Sequence, residues 1–155
     1  MNVTMAISAK EKELSAVGVS VATGCKPCTD YHVKAVRKAG AADDEIEQAV
    51  ADALAVRRVA TAIMERHALA HLGKVGPETG SKPTEQTNRI KTLVSIGAAF
   101  GVNCVSSLEQ HLAEAEAVGI SQDEIATIAK LAAFIKGRAA SHVERLVNMA
   151  AEAAA

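Results

Sequence analysis

Two cysteines and a histidine stand at short intervals in the first quarter of the chain. Cys25 and Cys28 are separated by Lys26 and Pro27, and His32 follows four residues after Cys28. Cysteines at this spacing can close a disulfide across a helix start. In a reducing compartment the spacing indicates redox or metal chemistry more than a structural crosslink.

A helix that starts at this pair activates its sulfurs. Pro27 suits a first helical turn, because its missing N–H is not needed there. Cys25 then lies just outside the helix and Cys28 lies in its first turn, facing unpaired backbone N–H groups and the positive end of the helix dipole. Both favour the thiolate, which is the reactive form. His32 shares the helix face of Cys28 and can take the thiol proton directly or through a water.

A dithiol of this kind can attack, form a sulfenic acid or a mixed disulfide, and resolve itself by closing its own disulfide. Glu13, twelve residues before Cys25, is the candidate third member of a proton relay. If its helix packs antiparallel beside the cysteine helix, its carboxylate can orient His32 and store a proton.

Other readings of these residues stay open. Cys25, Cys28, His32 and Glu13 could be the four ligands of a zinc site, although structural zinc sites usually draw on two ligand pairs. Tyr31 lies beside the site and is expected to pack.

Three further residues of chemical interest are expected to be structural. His67 and His71 have a spacing that helical metal ligands can have, but they lie near a helix end where histidines are common. Cys104, the third cysteine, has no neighbouring cysteine and is expected to be buried as a small apolar residue.

The composition indicates a globular all-α protein. Hydrophobic residues make up 49% of the 155 residues and charged residues 23%. About a fifth of the chain is alanine, the best helix former and a poor strand former. The net charge is -1, aromatic residues are 2% and tryptophan is absent, so neither a basic field nor a stacking surface for nucleic acid is expected.

The chain carries no candidate membrane span and no apolar run near its start, so a cytoplasmic protein is expected. The shortage of large apolar side chains leaves little for each helix to bury alone. Contacts between copies in a homo-oligomer are therefore expected to complete the core.

The helical patterns fall into two halves. Lys10 to Ala22 places Leu14, Val17 and Val21 on one face, and the next helix is predicted to run to Ala39, with Gly40 after it. Asp43 or Asp44 is predicted to cap a third helix that extends towards His71. A linker at residues 74–84, rich in Gly and Pro, separates residues 1–73 from residues 85–155.

The two halves match when the sequence is shifted by 79 positions without a gap. Leu14 falls on Leu93, Gly18 on Gly97, Cys25 on Cys104, His32 on His111 and Gly40 on Gly119. Shared helical periodicity explains the apolar matches but not the Cys, His and Gly matches together. We therefore predict a duplicated three-helix unit.

The predicted copies differ where chemistry is expected. Ser107 stands at the position matched to Cys28, and Thr92 stands at the position matched to Glu13. The second half is accordingly expected to be a scaffold copy that keeps the fold.

The stretch from Glu13 through Gly24-Cys25-Lys26-Pro27-Cys28 and Tyr31-His32 to Asp44-Glu45-Ile46 resembles the AhpD-like alkylhydroperoxidases. That family belongs to the carboxymuconolactone decarboxylase superfamily. The resemblance covers about the first 70 residues well and the second half as a fold only.

The resemblance implies an all-α helical bundle that assembles as a homo-oligomer, a trimer or a hexamer. It implies that Cys28 attacks and passes through a sulfenic acid, and that Cys25 donates a proton and resolves the intermediate. His32 is then the base and Glu13 the relay carboxylate.

Together these observations predict a dithiol peroxidase or thiol-disulfide oxidoreductase that reduces hydroperoxides or partner disulfides. An external thiol electron donor is needed, and no cofactor is expected. The alternatives are a lyase of the decarboxylase type, which needs no cysteine pair, and a non-catalytic oligomer, either zinc-bound or purely structural.

Overall fold

The computed structural model of the chain describes residues 6–79 and 87–155, which form six α-helices. The helices are α1 (Ala9–Thr23), α2 (Lys26–Lys38), α3 (Asp43–Ala70), α4 (Arg89–Gly101), α5 (Val105–Ala117) and α6 (Gln122–Ala154). Neither described range contains a strand, so the prediction of an all-α fold is confirmed. None of the described helices is both long enough and apolar enough to cross a bilayer.

Helix α1 begins at a capping box and ends at a glycine. The Ser8 hydroxyl accepts the Glu11 N–H, and the Glu11 carboxylate accepts the Ser8 N–H, each at 3.1 Å. Gly24 follows the helix with a φ of 74°, a left-handed conformation that glycine adopts without strain. The turn at Gly24 leads directly into α2, so the cysteine pair begins the next helix.

The observed ends of α2 agree with the predicted helix. Cys25 is the N-cap residue and Cys28 lies in the first turn, where the Cys28 N–H points at the Cys25 sulfur at 3.2 Å. Pro27 lies at the start of the helix, where it removes no hydrogen bond. The helix ends at Lys38, and Gly40 has a φ of 90°.

The predicted cap of α3 is wrong. Neither Asp43 nor Asp44 is the N-cap residue; that residue is Ala42, which has no side-chain acceptor. The Glu45 carboxylate accepts the Ala42 N–H at 2.9 Å, and this hydrogen bond lowers the pKa of Glu45. Both aspartates lie in the first turn, where their charge faces the positive end of the helix dipole.

Helices α1 and α4 form the centre of the molecule. The pattern predicts one buried face on α1, but every residue from Leu14 to Ser20 is buried, because α2, α3, α4 and α6 all pack against this helix. Two glycines allow α1 and α4 to approach. A Cβ on Gly18 would lie 2.7 Å from the Val94 side chain, and one on Gly97 would lie 2.8 Å from the Val19 side chain.

The segment between α3 and α4 is described only in part. Residues 74–79, which lie within the predicted linker at 74–84, contain no helix. Residues 80–84 of that linker lie outside the described residues, and so do residues 1–5 at the start of the first predicted unit. The division into two repeats at 1–73 and 85–155 stays a prediction.

Candidate active site

The Cys25 and Cys28 sulfurs are joined in a disulfide at the start of α2. Their α-carbons are 5.3 Å apart, and the two residues are 5% and 8% exposed. Because the N-cap and the first turn hold the two residues, the helix start itself sets this separation. The third cysteine, Cys104, is buried and free.

Glu13 and His32 form a pair across two helices. The His32 Nδ1 lies 2.8 Å from the Glu13 Oε2, and His32 is buried. A carboxylate can only accept, so Nδ1 carries the proton and Nε2 is the acceptor of the neutral ring. Packing of α1 beside α2 therefore places the carboxylate where it orients the imidazole. Tyr31 is 67% exposed and meets the His32 ring edge-on at 5.0 Å.

A second histidine, His142, lies close to both sulfurs. One of its ring nitrogens and the sulfurs of Cys25 and Cys28 are all within 4.8 Å of one another. His142 is partly buried and belongs to α6, in the other half of the chain. The sequence analysis missed this residue. The one feature of the sequence that sets His142 apart is that the matched position in the first half, under the shift of 79, holds the apolar residue Ile63.

The four zinc ligands considered from the sequence differ from the potential metal ligands that the structure brings together. Among the described residues, the three potential ligands that lie together are Cys25, Cys28 and His142, and this group includes neither His32 nor Glu13. In the disulfide both sulfurs are bonded, so neither is a thiolate that could hold a metal. Reduction of the disulfide is the condition for any soft-metal binding here.

The disulfide is packed against helices from both halves. The two cysteines share one buried cluster with Ala16 and Val19 of α1 and with Ala132 and Ile135 of α6. The reactive pair thus lies in a buried apolar cluster that the first half does not form alone.

A cleft of about 1120 Å³ opens next to the pair and includes Cys25 and His142 in its lining. The lining is mostly apolar, and the charged residues in it are Lys26, Arg57 and Lys136. Arg57 donates to the Ala22 carbonyl at 3.2 Å and Lys136 to the Phe100 carbonyl at 3.5 Å.

The matched positions of the second half hold different chemistry. The Cys104 thiol donates to the Ser107 hydroxyl at 3.1 Å, so this site has no partner cysteine. His111 pairs with Glu114 of its own helix at 2.8 Å, and buried Thr92 stands where Glu13 would be. Burial raises the pKa of Glu114, but hydrogen bonds from His111 and Gln110 outweigh it and hold that pKa below its usual value.

His67 and His71 lie away from the sulfur site. Their rings meet edge-to-face at 5.2 Å near the end of α3, and among the described residues neither joins a group of three potential metal ligands.

Comparison with known proteins agrees with the sequence resemblance. Residues 4–70 match the family model of the carboxymuconolactone decarboxylase family. Neither the curated proteins nor the solved structures give a match to the chain. The matched segment contains Glu13, Cys25, Cys28 and His32. Over residues 4–70 the chain is therefore similar to the carboxymuconolactone decarboxylase family.

Proposed function

We propose that the protein is a dithiol oxidoreductase that reduces hydroperoxides or partner disulfides through the Cys25–Cys28 pair. The observation that carries the proposal is the disulfide at the start of α2, buried and adjacent to an open cleft. The family match to residues 4–70 supports it, because the reactive residues lie inside the matched segment.

The attacking sulfur is Cys28, in the first turn of α2. Its thiolate attacks one oxygen of the hydroperoxide, the O–O bond breaks, and the alcohol leaves with one proton. Cys28 then carries a sulfenic acid, and the peroxide has been reduced by two electrons. His32, held by Glu13 at 2.8 Å, takes the Cys28 proton before attack and returns it to the alkoxide that leaves, which becomes the alcohol.

The second step closes the disulfide. The Cys25 sulfur attacks the Cys28 sulfenic sulfur, the S–O bond breaks, and water leaves. An external dithiol must then reduce the Cys25–Cys28 bond, and it is itself oxidised to a disulfide. The same pair handles a partner disulfide by exchange, with a mixed disulfide in place of the sulfenic acid.

The cleft favours an organic substrate over a small inorganic one. Its mostly apolar lining suits an alkyl or aryl group, and its charged residues are cations, which tolerate an acidic group on the substrate. We expect cumene hydroperoxide to react faster than hydrogen peroxide.

Turnover of the Cys28→Ser variant tests the proposal. With a dithiol reductant in excess, the wild-type protein is expected to consume cumene hydroperoxide continuously, and Cys28→Ser to lose this activity. Cys104→Ser is the matched control: Cys104 lines the cleft but has no partner cysteine, and its thiol is hydrogen-bonded to Ser107, so turnover should persist. Full consumption by Cys28→Ser rejects the dithiol mechanism.

The matched family's name gives a second candidate, a lyase that acts on a small cyclic lactone. Decarboxylation of this kind needs no cysteine pair, and the cations of the cleft suit a carboxylate substrate. Lactone turnover that survives in a Cys25→Ser, Cys28→Ser double variant selects the lyase, and its absence in the wild-type protein rejects it.

We also propose that the chain is an internal duplication, and the helix positions support it. Helices α2 and α5 have 13 residues each, and α5 begins 79 positions after α2. Helix α6 likewise begins 79 positions after α3. The cleft is lined by matched pairs under the same shift, including Arg57 with Lys136 and Ala60 with Ala139.

A further inference from the structure

Closing the disulfide requires a proton to move between two sulfur atoms. Cys25 begins the step as a thiol, and Cys28 begins it with a hydroxyl bound to sulfur. When the S–S bond forms, Cys25 loses a proton, and the hydroxide that leaves Cys28 needs one to become water. A group that performs both transfers must reach both sulfurs, directly or through one water.

His142 is placed for this transfer. Its ring nitrogen lies within 4.8 Å of the Cys25 sulfur and of the Cys28 sulfur, a distance that one bridging water can span. Among the described His, Cys, Asp and Glu side chains, His142 is the one that forms a group of three with the two cysteines. Its side chain lines the cleft, so the water that is formed can leave.

His32 is not placed in the same way. Its Nδ1 is engaged by Glu13 on the α1 side of α2, and His32 is absent from the group that joins both sulfurs. The two imidazoles therefore approach the pair from different helices: His32 from α2 itself, and His142 from α6 across the boundary between the halves.

We propose that His142 is a proton-transfer residue of the resolving step: it takes the proton of the Cys25 thiol and delivers it to the group that leaves Cys28. The inference rests on the proposed dithiol function. The balance is Cys25–SH plus Cys28–S–OH giving Cys25–S–S–Cys28 plus water, with the imidazole neutral at the start and at the end. When Cys28 carries a mixed disulfide, the leaving group is a thiolate and the product a thiol.

Two variants of His142 separate the chemical role from a packing role. His142→Gln keeps a polar side chain without a proton-transferring ring, and His142→Ile installs the residue that occupies the matched position, Ile63, in the other half. His67→Gln is the control, because His67 is an exposed histidine near the end of α3 and outside the proposed machinery. Circular dichroism is expected to show the same helix content for the wild-type protein and the three variants.

The experiment follows the intermediate on Cys28 by intact mass after reduced protein is mixed with one oxidant. One arm uses cumene hydroperoxide and traps sulfenic acid with dimedone; the other uses hydroxyethyl disulfide and detects the mixed disulfide directly. In both His142 variants we expect the intermediate to persist about 10–100-fold longer than in wild type. The upper value equals the smallest rate factor that is typical of general acid–base catalysis. The initial attack should keep its wild-type rate, and His67→Gln should match wild type throughout.

The two arms distinguish failure of this inference from failure of the proposed function. Wild-type closure rates in both His142 variants, in an arm where wild type reacts, overturn the role of His142. A delay in the disulfide arm, with wild type inert to peroxide, supports His142 and removes peroxide reduction from the proposed function. If wild type forms no internal disulfide in either arm, the proposed function fails, and the role of His142 fails with it.

Discussion

Two His–Glu pairs of the same length differ in their surroundings. The His32–Glu13 pair joins α2 to α1 next to the disulfide, whereas the His111–Glu114 pair lies within α5, where Ser107 replaces the second cysteine. Each has a nitrogen–oxygen distance of 2.8 Å. The chain thus contains a matched control for the relay that we assign to the first pair.

Replacing Glu13 by Gln is expected to slow the attack step. The amide of glutamine is neutral, so its hydrogen bond with the His32 Nδ1–H is weaker than that of the Glu13 carboxylate. His32 is then held less firmly as the base for Cys28. We expect a rate of thiol oxidation by cumene hydroperoxide about 10-fold lower or more, within the range of acid–base contributions. Stopped-flow measurement of the reduced protein gives this rate.

Glu114→Gln provides the comparison, because it removes an equally short pair that has no sulfur partner. Its oxidation rate should equal that of wild type. Equal slowing by both substitutions would mean that the effect of Glu13→Gln comes from general loss of helix stability, and the relay assignment would be wrong.

At the scale of the helices, α1 and α4 approach closely. The many small residues allow this approach, but the apolar periodicity does not predict it. Gly18 and Gly97 occupy matched positions, 79 residues apart, and a Cβ added to either would lie less than 3 Å from a valine side chain of the opposite helix. A periodic apolar pattern reports one face of a helix, so it could not show that α1 is enclosed on every side.

Gly18→Ala is expected to destabilise the protein. The added methyl group meets the Val94 Cγ1 at 2.7 Å between two packed helices, and overpacking of this kind costs about 1–3 kcal/mol, partly offset by the higher helix propensity of alanine. Gly137→Ala is the control: no atom lies within 4 Å of an added Cβ in α6, so a gain of about 0.5–1 kcal/mol is expected. Urea unfolding measures both; a stabilised Gly18→Ala variant would contradict the packing account.

Arg89 at the start of α4 ties three helices together. It donates to Glu11 of α1 at 2.6 Å and to buried Glu124 of α6. The hydrogen bond from Arg89 is the largest influence on Glu124 and, with the Ser121 N–H, it holds the pKa of that carboxyl below its usual value. Burial acts against this shift without reversing it.

The sign of the pH dependence follows from the lowered pKa. Glu124 binds its proton more weakly in the folded state, so its contribution to the free energy of unfolding is present above the ordinary value of 4.5 and is lost as pH falls through the lower folded pKa. Arg89→Met is expected to cost about 3 kcal/mol at neutral pH, because it leaves a buried carboxylate without its cationic partner. The difference from wild type should shrink in acid, where Glu124 becomes protonated.

Arg37→Met serves as the control for Arg89→Met. The Arg37–Asp43 pair has side chains that are 62% and 77% exposed, and such pairs contribute about 0–1 kcal/mol. Urea unfolding at a series of pH values compares the variants. A cost for Arg89→Met that is small, or that is constant with pH, would contradict the ion-pair account.

At the scale of the whole molecule, the site depends on both halves. The cysteine pair, His32 and Glu13 come from the first half, and the α6 wall and His142 come from the second. The sequence predicts the helix start at Cys25, the two-helix approach of Glu13 to His32 and the all-α fold, because these depend on local capping and spacing. It could not place His142, because the packing of α6 over α2 joins residues more than a hundred positions apart.

The apolar end of α6 supports the expectation of a homo-oligomer. Val143, Leu146, Val147 and Met149 are all more than half exposed along its last turns. We expect sedimentation velocity to give a particle that is a multiple of the 16.0 kDa chain, and Val147→Lys to shift it towards the monomer. Val75→Lys, at a 92% exposed position between α3 and α4, should leave the particle unchanged. A wild-type monomer at micromolar concentration would contradict the expectation.

Counting thiols on the reduced protein tests the central claim most directly. The chain has three cysteines, and all three should react with a thiol reagent in denaturant after reduction and removal of the reductant. After one equivalent of cumene hydroperoxide, the account predicts that Cys104 alone still reacts and that no covalent dimer forms, because Cys25 and Cys28 close their bond within one chain. Three reactive thiols after oxidation, or a disulfide between chains, would contradict it.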